Sequence, residues 1–92
     1  MKQIFRTAKH QDGASQNPEF EIRGDLIYRT VHHPQGASSA AEYIIKGGMI
    51  FRTPDHPDGS SALAEYEIRG SLIFRTDYHF RGASSEAEYE IK

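Results

Sequence analysis

Four histidines, four arginines and four serines recur at intervals of 23 residues along this 92-residue chain, and their side chains bound the chemistry it can do. His10, His33, His56 and His79 share one repeat position. If the loops that carry them converge on one axis, four imidazoles could ligate a divalent ion such as zinc, nickel or copper. If the loops splay outward, each ring instead caps its own His-Pro-x-Gly turn through a ring nitrogen. The turn role is the preferred expectation and the four-histidine metal site the alternative. No other cofactor is implied.

Arg6, Arg29, Arg52 and Arg75 form the second set. Four cations at one mouth repel unless they meet carboxylates or bind an anion. Below them the sequence places isoleucine rings and Phe20, Tyr43, Tyr66 and Tyr89. A functional reading is therefore an axial, apolar channel with a cationic rim, suited to an anionic amphiphile or another small ligand. A structural reading has each guanidinium stack on a tyrosine or pair with Glu19, Glu42, Glu65 or Glu88. Ser15, Ser38, Ser61 and Ser84 complete the inventory but do not make a nucleophile, because Ser61 and His56 are expected on opposite strand faces. There is no Gly-x-Ser-x-Gly elbow or phosphate loop. Four equivalent copies also give no acid–base pair with distinct surroundings. The expectation is a non-enzymatic binding or structural module.

What must position these side chains is a repeat. Ile4, Arg6, Thr7, His10, Gly13, Ser15, Glu19 and Ile22 return unchanged three more times, ending in Ile73, Arg75, Thr76, His79, Gly82, Ser84, Glu88 and Ile91. Copies at about 1–23, 24–46, 47–69 and 70–92 account for one small domain, 1–92, arranged around a pseudo-fourfold axis. Each copy reads as two short strands, such as Met49–Thr53 and Ala64–Arg69, rich in β-branched and aromatic residues. The fold class is all-β: eight short antiparallel strands in four hairpins, closed or near-closed into a barrel.

Turn chemistry sets the register. Gly24-Asp25, Gly47-Gly48 and Gly70-Ser71 read as two-residue type II′ hairpins between repeats, since the first turn position needs positive φ. They pair Ile45 with Ile50 and Tyr43 with Arg52. Pro57-Asp58-Gly59 reads as a three-residue loop within a repeat, pairing His56 with Ser60 and Ile50 with Tyr66. Ile50, Arg52, His56, Ala64, Tyr66 and Ile68 then face inward, and Met49, Phe51, Thr53, Ser61, Glu65, Glu67 and Arg69 outward. A rival register would pair Tyr43 with Phe51. Residues Met1-Lys2-Gln3 and Ile91-Lys92 occupy the two sides of a fourth inter-repeat hairpin, so the last strand is expected to close on the first.

The pattern aromatic-Arg, a Gly-containing tip, then Glu-aromatic-Glu-Ile-Arg-Gly resembles the four-fold β-flower family of small bacterial repeat proteins. It runs through Ile27-Tyr28-Arg29 and Glu42-Tyr43-Ile44-Ile45-Lys46-Gly47 and their copies. The resemblance implies petals of short hairpins around a shallow, apolar channel, related in shape to Tubby-type domains but without their central helix. It carries over no catalytic residues.

Composition excludes several classes. A net charge of −2 with both signs interleaved argues against nucleic acid as a partner. The absence of cysteine removes disulfides and thiolate metal sites. No apolar run approaches the roughly 20 residues of a membrane span, and the opening Met1-Lys2-Gln3 leaves no room for a signal peptide. A cytoplasmic protein is expected. Phe5, Tyr28, Phe51, Phe74, Leu26, Met49 and Leu72 fall on the outer face, where they would favour a homo-oligomer. Tyr78 and Phe80 depart from the repeat at the fourth tip and offer a partner anchor.

Overall fold

The computed structural model describes residues 2–92. The strands are β1 (Lys2–Arg6), β2 (Phe20–Arg23), β3 (Leu26–Arg29), β4 (Tyr43–Lys46), β5 (Met49–Arg52), β6 (Tyr66–Arg69), β7 (Leu72–Arg75) and β8 (Tyr89–Ile91). Each pairs antiparallel with the next and β8 pairs with β1, giving a closed barrel without helices among the described residues. None is therefore long and apolar enough to cross a membrane.

The junctions between repeats have the expected register. Tyr43 faces Arg52, Ile45 faces Ile50 and Lys46 faces Met49, which excludes the rival pairing of Tyr43 with Phe51. Gly24 and Gly70 have φ of 63° and 64° with no positive φ at Asp25 or Ser71, the pattern of a type II′ turn. Gly47-Gly48 differs from the expectation: both φ are positive, at 57° and 75°, as in a type I′ turn. Two glycines permit this where Asp or Ser would resist it. At the fourth junction Gln3 and Lys92 exchange both backbone hydrogen bonds at 2.9 Å, so the ladder closes across the chain termini.

The tips depart from the three-residue loop expected of them. Only Ile50↔Tyr66 and Met49↔Glu67 pair within the third repeat, and residues 53–65 form a long connection. The cause is two turn signals in succession. Thr53-Pro54-Asp55-His56 closes with the His56 N–H donating to the Thr53 carbonyl at 3.1 Å, and His56-Pro57-Asp58-Gly59 closes at 2.8 Å. Pro suits the second position of each turn, and the +80° φ of Gly59 lets the chain double back. The pairing of His56 with Ser60 therefore does not form. Thr53 turns away from its own repeat instead: its N–H donates to the Glu42 carbonyl and its Oγ1–H to the Ala41 carbonyl of the preceding repeat. Thr53 and Glu65, expected outside, are accordingly buried.

Along the axis the core is layered. Ile4, Ile27, Ile50 and Ile73 are 2–3% exposed and form its centre, with Ile22, Ile45, Ile68 and Ile91 packed on the side of the inter-repeat turns. Phe20, Tyr43, Tyr66 and Tyr89 pack on the other side, toward the tips. Outside, cations at the strand ends cover the aromatics: Arg23 over Tyr28 at 4.6 Å, Arg69 over Phe74 at 4.5 Å, Lys92 over Phe5 at 5.1 Å and Lys46 over Phe51 at 5.8 Å. These cations shield the outer aromatics within the chain, while Leu72 of the same face stays exposed.

Candidate functional site

The barrel has two axial mouths, and the repeat places different residues at each. The tip mouth gathers the histidines. Each imidazole Nδ1 accepts the backbone N–H two residues on, from Asp12, Gln35, Asp58 and Arg81, at 3.0–3.1 Å. Accepting there leaves the proton of the neutral ring on Nε2, a tautomer assigned from the hydrogen-bond network. Nε2 then meets a tyrosine hydroxyl of the preceding repeat at 3.1 Å, in the pairs His56–Tyr43, His79–Tyr66 and His10–Tyr89. The turn role expected from sequence is what the rings perform, and the second bond is one that sequence reasoning missed. In these three histidines both ring nitrogens are occupied. Among the described residues no three His, Cys, Asp or Glu side chains gather into a metal-holding group. The four-histidine metal alternative would need four free imidazole nitrogens to converge, but every Nδ1 is turned into its own loop and three of the four Nε2 atoms meet tyrosine hydroxyls.

His33 is the exception. Its neighbour is Phe20, which lacks the hydroxyl, so the two rings meet only edge to face at 5.1 Å. Burial holds the His33 pKa below the usual imidazole value, with Glu19 opposing the shift. Burial, helped by Arg75 and Arg81, lowers that of His79 to about 4. Burial likewise pushes the Tyr43, Tyr66 and Tyr89 hydroxyls up, reinforced by nearby carboxylates, so all three stay protonated at neutral pH.

The arginines do not form a free rim. Each Nη1 donates to a glutamate of its own repeat, in the pairs Arg6–Glu19, Arg29–Glu42, Arg52–Glu65 and Arg75–Glu88. Each Nε donates to a tip-glycine carbonyl at 2.8–2.9 Å. The glutamates are 5–7% exposed, so their charge is neutralised where it is buried. The serines close the same knot: Ser61 Oγ accepts the Arg52 N–H at 3.0 Å, a contact repeated by Ser15, Ser38 and Ser84. Such a hydroxyl anchors the loop to the strand end.

The turn mouth is simpler. Ile22, Ile45, Ile68 and Ile91 line a bowl of about 500 Å³ whose wall includes Lys2 and Lys92. At the tip mouth a vestibule of about 420 Å³ is walled by His10, His33, His79, Glu19, Glu88 and Arg81 and reaches Tyr66 and Tyr89. Between the mouths the axis is almost filled, with about 30 Å³ free between the central isoleucines and the aromatic ring. No family model, curated protein or solved structure matches the chain.

Proposed function

We propose that the chain is a non-enzymatic binding module that takes an anionic amphiphile at its turn mouth. The observation that carries this is the bowl lined by four isoleucines, half-buried side chains that pack on the central isoleucines on one side and border open space on the other. Its volume falls within the range of small-molecule sites. The anionic head group suits Lys2 and Lys92 in the bowl wall. The arginine ring, engaged by glutamates, is not free to hold it. The narrow axis supports the same placement: about 30 Å³ cannot take an alkyl chain threaded through the barrel, so the tail lies in the bowl.

Native mass spectrometry of the purified protein is expected to show an adduct of a few hundred daltons. Decanoate titrated by calorimetry should bind, more weakly as salt rises, and Ile68→Asp should abolish the heat. Decanoate that binds Ile68→Asp as well as the parent, or that does not bind at all, rejects the reading.

A further inference from the structure

The two ends of the barrel complement each other in charge and in shape. Lys2, Arg23, Lys46, Arg69 and Lys92 stand at the turn end, with Asp25 the one carboxylate in the turns. Arg23, Arg69 and Lys92 reach back to Glu21, Glu67 and Glu90 on the outer wall. Lys46 has Ile44 where the other copies have glutamate, and neither it nor Lys2 meets a carboxylate among the described residues. The tip loops have the opposite balance. Apart from the arginine-paired glutamates they carry Asp12, Asp55, Asp58, Asp77 and Glu86, and of these only Glu86 pairs with an ammonium, that of Lys9. Arg81, the other cation there, is bound back to Gln11.

Apolar surface is divided in the same way. Val31, Leu63, Tyr78 and Phe80, four of the five large exposed hydrophobic side chains, lie in the tip loops. Phe80 stands in the wall of the tip mouth and is 84% exposed, although the equivalent residue of the second and third copies is proline. Its ring stacks on His79 at 4.7 Å, so the side chain is ordered before it meets a partner and loses little freedom on binding. Burying it would remove on the order of 150 Å² of surface from water. The other end offers a hollow for it: the isoleucine bowl of about 500 Å³.

We propose that copies of this chain stack head to tail, with Phe80 of one seated in the isoleucine bowl of the next and the acidic tips against the basic turn end. Knob and hollow are at opposite ends of one molecule, so the contact is heterologous and builds an open row, not a closed dimer. A ring of four alike copies has equal extents across its axis. The extents of 32 and 31 Å are therefore the width and 21 Å the thickness, and each end is broad enough for the roughly 800 Å² per partner of a standard interface. The bowl cannot hold Phe80 and an amphiphile tail together, so ligand and stacking compete. That competition rests on the amphiphile reading; the stacking does not.

Sedimentation velocity of the whole protein, from about 1 μM to about 1 mM, tests this. The average mass should rise with concentration past that of a dimer and fall as salt is added. Phe80→Ser and Ile68→Asp should each stay monomeric, yet an equimolar mixture should give a one-to-one dimer, because the first keeps its bowl and the second its knob. A mixture that stays monomeric overturns the proposal, as does a wild type that is monomeric throughout or stops at a dimer. Lys46→Glu lies outside the bowl and keeps the fold, so it should weaken stacking about threefold or more even if Ile68→Asp unfolds. Unchanged association of that variant would equally overturn the proposal. Decanoate should disperse the wild-type stack. If it binds Phe80→Ser in calorimetry but leaves the stack intact, the second copy is not seated in the bowl and the proposal falls. If it fails to bind Phe80→Ser while the mixed dimer still forms, the amphiphile reading is removed and the stack is supported.

Discussion

Phe20→Tyr should stabilise the protein by completing a ring of contacts that the chain makes three times out of four. The geometry is already in place: the His33–Phe20 centroids are 5.1 Å apart with planes at 68°, against 5.0–5.1 Å and 66–70° for the three histidine–tyrosine pairs. A hydroxyl on residue 20 would therefore sit where the other three lie, 3.1 Å from a histidine Nε2. Gln35 N–H already holds the His33 Nδ1 at 3.0 Å, so Nε2–H is ready to donate without a change of tautomer. One such bond contributes about 0.5–1.5 kcal/mol net. In a domain of this size each kcal/mol moves Tm by about 4–8 °C, so the expected gain is about 2–12 °C. Differential scanning calorimetry reads the gain, and the imidazole resonances of His33 should shift toward those of His56. An unchanged or lower Tm would refute the idea that the histidine–tyrosine contact contributes net stability.

Arg52→Ala should destabilise the fold by about 2–4 kcal/mol in urea unfolding, because it strands the Glu65 carboxylate and the Gly59 carbonyl; the upper range for a buried pair is reduced by the guanidinium's partial exposure. A loss below about 1 kcal/mol would mean that water replaces the guanidinium at no cost. Stability should fall as pH drops from 6.5 toward about 4, because over that window the unfolded chain protonates His79 while the folded chain does not. Carboxylates titrate nearby, so the readout is the difference between the wild type and His79→Asn, which keeps a turn-capping side chain and should show a shallower fall in Tm. Equal slopes would remove His79 as a contributor. A circular permutant opened between Gly47 and Gly48, with Lys92 joined to residue 1 and Met1→Gly supplying the turn, should fold with an unchanged circular-dichroism spectrum. Failure of that permutant to fold would contradict closure through the Gln3–Lys92 pair.

The parts of this structure that could be read from sequence are those where one local rule acts alone. Gly followed by Asp, Gly or Ser permits a two-residue turn, and that turn fixed Ile45 against Ile50 and predicted the closing strand. The tips obey two overlapping rules. Thr53-Pro54-Asp55-His56 and His56-Pro57-Asp58-Gly59 are both valid turns, and carrying strand parity through only the second placed Thr53 and Glu65 on the wrong face. Contacts between repeats were missed for a different reason. Tyr43 and His56 lie 13 residues apart in adjacent copies, a spacing that strand alternation does not relate. The substitution of Phe20 in one copy was the available signal, since a position that is Tyr three times points to a use for the hydroxyl. The arginine–glutamate pairing was weighed from sequence because both types repeat together; that it closes off the arginine ring depended on tip geometry.

Thr7 Oγ1 donates to the Ala87 carbonyl and His10 meets Tyr89, so the first copy leans on the last as each other copy leans on the one before it. An array of this kind has no terminal unit to protect and nowhere to extend. A fifth 23-residue copy could not be appended as it can in an open solenoid. It would have to enter the circle, raise the strand number to ten and widen the bore, because barrel diameter grows with the number of strands. The number of copies, more than the size of any side chain, therefore sets the width of the axis, and a protein with one copy more would part its closed aromatic ring into a five-sided pore.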